Sequence, residues 1–127
     1  MSYVSKITAT EDGKLAITFS KLKRVILESP YAGDIQVNVA YSKLCVRDCI
    51  LRGEAPIASH LLFTQPGILR DEIPGERKLG IDAGHAWLLV ADAVVVYEDR
   101  GISDGMQLGI DRAIVLGIPV EFRKLGV

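Results

Sequence analysis

The five residues from Ala93 to Tyr97 form an uninterrupted apolar run, Ala-Val-Val-Val-Tyr, directly after Asp92. A strand that is apolar on both of its alternating faces has no side to give to water, so this run predicts the centre of a parallel sheet with both faces covered. The flanking segments fit that expectation. Arg24 to Glu28 reads as a second buried strand, stopped abruptly by Ser29-Pro30-Tyr31-Ala32-Gly33. Asp34 is well typed to cap a helix, and Ile35 to Arg52 carries helical periodicity through Val39, Ala40, Leu44, Val46 and Ile50 until Gly53 ends it. Ala55 to Leu62 reads as a further strand, followed by a long connection from Phe63 through Pro74, a length that often carries function. A helix from Glu76 to Val90 presents Leu79, Ala83, Ala86, Trp87 and Val90. Another from Ser103 to Leu116 presents Met106, Ile110, Ala113 and Ile114, and Gly117 and Pro119 introduce a last strand, Val120 to Arg123.

Strands that alternate with helices in this way predict an α/β fold of flavodoxin-like (Rossmann-like) type. It has three layers, with a short, mostly parallel sheet between helices. A chain of 127 residues is one domain by length. The α/β core is expected over 24–125. Before it, Tyr3 to Phe19 shows partial alternation broken by Glu11-Asp12-Gly13, which predicts a β-hairpin appendage over 1–20. With 15 basic residues against 16 acidic ones, bulk affinity for nucleic acid is not indicated. The amino terminus lacks a charged start followed by an apolar run, and no stretch reaches membrane-span length, which predicts a cytoplasmic protein with no membrane partner. Cys45 and Cys49 share one helix face and read as core. His60 and His85 show no ligand spacing relative to them, so no metal site is predicted.

In such folds ligands bind beyond the carboxyl ends of the strands, where strand order reverses, and this selects three loops. In the first, Ser29 to Asp34, Gly33 lies close to a helix start, where free backbone amides suit a phosphate or carboxylate as well as a simple turn. There Ser29, Pro30 and Asp34 are candidate ligand contacts, with proline and glycine serving otherwise only to turn the chain; Tyr31 is placed either to stack on a base or to pack, and Asn38 either to bond a ribose or to face solvent. The second, Ser59 to Gln65, gathers Ser59, His60, Thr64 and Gln65; His60 is its most chemically suggestive member. His85, within an amphipathic helix, reads as structural. The third, Glu98 to Gly105, sets Glu98 and Asp99 directly after a buried strand. A desolvated carboxylate there is a candidate base or nucleophile, while Ser103 either caps the next helix or holds a ligand phosphate beside Gly105.

Ser29-Pro30-Tyr31-Ala32-Gly33, Pro56 to Leu62, Ala91-Asp92-Ala93 and Ser103-Asp104-Gly105 follow one another in an order that resembles the nucleoside 2-deoxyribosyltransferase-like superfamily. More narrowly, the chain is similar to small domains carried by many phages and actinobacteria. The resemblance covers about Arg24 to Leu125. It implies cleavage or transfer at the N-glycosidic bond of a deoxynucleoside or its monophosphate by a carboxylate that attacks the anomeric carbon, as in a retaining glycosidase. It also implies that no metal or organic cofactor is needed, and that the chain assembles as a dimer or larger homo-oligomer.

Members of that superfamily usually carry the nucleophilic glutamate six residues after the helix-starting serine, and this chain has Gly109 there. Asp111 is no simple substitute, because two residues along a helix turn a side chain by about 200°. Two expectations follow. Either Asp99, with Glu98 second and His60 assisting, supplies the carboxylate for a pocket that also uses Ser29, Tyr31, Gly33, Ser103 and Gly105, or the reaction is lost. In the second case the protein binds and sequesters a nucleotide signal, such as a cyclic or ADP-ribose derivative.

Overall fold

The computed structural model of the protein describes residues 5–19 and 22–127. Two strands, β1 (Ser5–Ala9) and β2 (Leu15–Phe19), pair antiparallel around the turn at 10–14 and form a sheet of their own. Tyr3 and Val4, the outer end of the expected hairpin, and Lys21, which opens the basic stretch after it, lie outside the described residues.

The core sheet contains β3 (Lys23–Glu28), β4 (Glu54–Ile57), β5 (Ala93–Tyr97) and β6 (Val120–Arg123) in the order β4-β3-β5-β6, every neighbouring pair parallel. All five residues of β5 are buried, as its composition requires of a central strand. Alternation sorts the sheet's side chains into two cores. Val25, Leu27, Ala93, Val95 and Tyr97 pack beneath α1 (Ile35–Leu51), against its Tyr41, Cys45 and Cys49. Ile26, Val94 and Val96 face the other way, against Leu88 and against Met106, Ile110 and Ala113 of α4 (Asp104–Leu116). The fold is therefore a three-layer, flavodoxin-like α/β arrangement. Both cysteines are free and buried, and burial raises their thiols to about 12 and about 11. That suits packing, not reactivity.

Two expected elements are divided differently. The strand foreseen over Ala55 to Leu62 stops at Ile57, where its pairing with β3 ends, and the chain then makes a helical turn, α2 (Ser59–Leu62). That bend carries Ser59 and His60 off the sheet edge toward the crevice. Pro56 fits because β4 is an edge strand, which can spare a ladder donor. The helix foreseen over Glu76 to Val90 is α3 (Pro74–Ala86), with Pro74 at its first position, followed by a 3₁₀ turn, Trp87–Val90. Gly84 is where α3 meets α2: a Cβ there would stand 2.5 Å from the Ser59 Cβ. No helix among the described residues is long and apolar enough to cross a membrane.

Candidate functional site

The order β4-β3-β5-β6 reverses between β3 and β5, since the chain leaves β3 for one edge and β5 for the other. At that switch point the loops after the two strands diverge and leave a crevice, as such sheets do. A polar pocket of about 250 Å³ occupies it, and Glu28, Ser29, Tyr31, Ser59, His60 and His85 are among its lining residues. The first turn of α4 closes the pocket with Ser103, Asp104 and Gly105, and Arg77 projects from α3. This volume lies just below the range of about 300–1,000 Å³ that takes drug-sized ligands, so it suits a compact one. A larger hollow of about 490 Å³ is lined by Leu88, Leu89, Val115 and Leu116 together with Asp82 and Arg112. His85 and Asp111 also stand at its wall, but most of its open surface is apolar.

The pocket has a polar cluster on each of its two sides. On its α1 side, Ser42 Oγ lies 2.7 Å from Ser29 Oγ and 2.8 Å from His60 Nε2, and Ser29 Oγ is 3.2 Å from the same ring nitrogen. Burial pushes His60 down to about 4, so the ring is neutral near pH 7 and suits orienting hydroxyl groups better than delivering a proton. This has a consequence for stability. A histidine in the unfolded chain titrates near about 6.5, so as pH falls the unfolded state takes up the proton first. Stability is expected to fall between about pH 6.5 and about pH 4, by up to about 3 kcal/mol from this group. Urea midpoints at about pH 7 and about pH 4.5 should drop less in His60→Gln than in the wild type. Equal drops would show that His60 does not drive the loss.

On the opposite side stands Glu28. It shares the parity of Ile26, so its side chain leaves β3 toward α3 and α4, where its Oε1 lies 3.4 Å from His85 Nε2. Burial raises the Glu28 carboxyl above the ordinary glutamate range, with His85 opposing that rise. Gly109 makes the arrangement possible. A Cβ at Gly109 would stand 2.7 Å from the Glu28 Cδ and 3.2 Å from His85 Nε2, inside space that the carboxyl group already fills.

Of the residues singled out from sequence, Ser29, Tyr31, Ser59, His60, Ser103 and Gly105 line the pocket. Asp99 and Glu98 are not among its lining residues. The Asp99 carboxylate accepts from Tyr41 Oη at 2.5 Å, from the Leu125 amide at 2.9 Å and from the Gly126 amide at 2.8 Å. Those donors, Tyr41 first, hold it down to about 2. It fastens the chain after β6 to α1, on the face away from Glu28. Asn38 is buried and its Nδ2 donates to the Tyr31 and Ala32 carbonyls, so it holds the first loop in place. Tyr31 Oη donates to the Thr64 carbonyl at 3.1 Å. Asp34 caps α1 by accepting from the Val37 amide at 3.3 Å. Pro30 is buried outside the pocket wall, and Gly33 takes φ +99° beside a neighbouring hollow. Ser103 caps α4 from a side chain 3.2 Å from the Met106 amide, and Asp111 is exposed.

Two further lining residues read otherwise in the sequence, Glu28 as the end of a strand and His85 as structural. The signal was available in parity: in a strand whose Ile26 faces one core, Glu28 must face the same way. Among the described residues no group of three histidine, cysteine or carboxylate side chains is placed to hold a metal ion.

The family described as "Domain of unknown function (DUF7768)" has a model that matches residues 23–123. The chain belongs to that family. The matched span starts with β3 and ends with β6, so in this DUF7768 member it is the α/β core with its pocket, while the β1–β2 hairpin lies outside it. No curated protein and no solved structure matches the chain.

Proposed function

We propose that the switch-point pocket binds a nucleoside or nucleoside monophosphate and acts at its N-glycosidic bond, with Glu28 as the reacting carboxylate. One observation carries this reading. The superfamily that the sequence resembles roots its nucleophile at the position held here by Gly109, and the Glu28 carboxyl group fills the space beside that missing side chain. A buried carboxylate thus stays in the same corner of the pocket while its point of attachment moves from α4 to β3. The chemistry balances as in a retaining glycosidase. A Glu28 oxygen bonds to the anomeric carbon, the N-glycosidic bond breaks, and its electron pair leaves with the base, which takes up a proton. Water, or the nitrogen of a second base, then displaces Glu28 from the sugar. Ser29 and His60 on the α1 side, with Ser59 where α2 meets α3, supply neutral hydrogen bonds suited to sugar hydroxyls.

The absence of a carboxylate at Gly109 itself favours a second reading, in which the pocket holds a nucleotide signal without turning it over. Both readings suit a cytoplasmic setting, where free thiols such as Cys45 and Cys49 stay reduced. Both also suit a homo-oligomer, since Leu89 and Val115 stand 75% and 85% exposed. To test the function, the purified protein is incubated with nucleosides, deoxynucleoside monophosphates, and cyclic and ADP-ribose nucleotides. Thermal shift and free-base release are followed in the same samples. Base released in proportion to protein supports glycosidic chemistry, and stabilisation by a nucleotide recovered intact supports sequestration. Neither effect from any member of the panel would overturn both.

A further inference from the structure

Behind Glu28 the polar contacts continue out of the pocket. His85 lies on α3 with its side chain 8% exposed, between the 12% exposed Glu28 side chain and Arg112 of α4. Arg112 Nη1 is 2.8 Å from His85 Nδ1 and 3.1 Å from Asp82 Oδ1, and Asp82 also receives Lys78 Nζ at 2.5 Å. A guanidinium group has donors and no acceptor, so in the 2.8 Å contact the hydrogen must come from Arg112 and Nδ1 must offer a lone pair. A proton at Nδ1 would set one N–H against another. With Nδ1 occupied in this way, the single ring proton of the neutral imidazole is on Nε2, the nitrogen that faces Glu28.

We propose that Arg112 is a positioning residue for the reaction: it fixes the ring tautomer of His85 so that the Nε2 proton is aimed at the Glu28 carboxylate, and Asp82 holds Arg112 in place to do so. The proposal rests on the reading of Glu28 as the reacting group. It adds a residue outside the pocket wall, reaching the reaction only through His85. An Nε2–H donor turns one carboxylate oxygen toward α3 and opposes the effect of burial on the charged form. The 3.4 Å separation is long for a hydrogen bond, and catalytic contacts of this kind tighten when ligand enters. Asp82 holds Arg112 at the exposed end of the chain of contacts, and shares its single carboxylate with Lys78.

The chain has two histidines, so ¹⁵N-histidine labelling gives two imidazole spin systems, and His60→Gln assigns both. Long-range ¹H–¹⁵N correlation near neutral pH is expected to show His85 with Nε2 protonated and Nδ1 bare. In Arg112→Met, with folding checked by circular dichroism, the pattern should move toward a mixture of tautomers, and Arg112→Lys, which restores a donor, should return it part-way. Base release by Arg112→Met should lose at least about tenfold in kcat with little change in KM. An unchanged His85 pattern in folded Arg112→Met overturns the proposal whatever the turnover. An altered tautomer with kcat unchanged, while turnover still depends on Glu28, overturns the positioning role and leaves the reading of Glu28 standing. Turnover that survives Glu28→Gln fails that reading, and the positioning role with it.

Discussion

Glu54→Ala is expected to destabilise the protein by about 3 kcal/mol or more, because it leaves a buried guanidinium without its carboxylate. Arg123 and Glu54 are 5% and 8% exposed in their side chains and pair through two contacts, of 2.7 and 2.6 Å. They come from β6 and β4, the two edge strands, so the pair ties opposite edges of the sheet together across the face that α1 covers. Tyr97 Oη and Cys49 Sγ accept from the same guanidinium, and its Nε has no partner among the described residues. Glu121, 2.9 Å from Nη2 but 52% exposed, compensates in part. Breaking a buried pair costs more than replacing it, so Glu54→Leu combined with Arg123→Met should recover much of the loss. Urea unfolding of the three proteins checks this. A single variant within about 0.5 kcal/mol of wild type would show that the pair contributes little.

Gly109→Ala is expected to change sign with its background. In the middle of a helix, alanine is favoured over glycine by about 1 kcal/mol. Here the added methyl falls in the space of the Glu28 carboxyl, and overpacking of that kind costs about 1–3 kcal/mol. The single variant should therefore be destabilised, and in a Glu28→Ala background the same substitution should stabilise. The two sites would then be coupled by roughly 1–3 kcal/mol, the overpacking cost itself, in a double-mutant cycle. Additive effects would mean that Glu28 does not fill the space beside Gly109, and the relocated carboxylate would lose its structural basis.

The fold was legible where one side-chain pattern answered to one environment. Ala93 to Tyr97 announced the central strand because it has no polar face, and Asp34 and Ser103 marked helix starts that their side chains do cap. Ala55 to Leu62 misled because the strand ends where its pairing with β3 stops, at Ile26 opposite Ile57, a limit invisible within the segment itself. The site was legible at the level of loops: Ser29, Tyr31, Ser59, His60, Ser103 and Gly105 meet because the strand order brings their loops together. The carboxylate proposed to react was not. Asp99 looked free beside a polar turn, yet the amides that hold it belong to Leu125 and Gly126, far along the chain. Glu28 looked like the last residue of an ordinary strand, and its significance depends on an empty position on α4 and on His85 of α3.

The most direct test of the central claim is free-base release by Glu28→Gln and Asp99→Asn, side by side with wild type on whichever nucleoside or nucleotide the protein turns over. Glu28→Gln should lose about 10³-fold or more in rate while remaining folded. Asp99→Asn should retain turnover and lose stability instead, since its carboxylate binds Tyr41 and the chain end. Full activity in Glu28→Gln, with activity abolished in Asp99→Asn, would contradict the account and move the chemistry to the other face of the sheet.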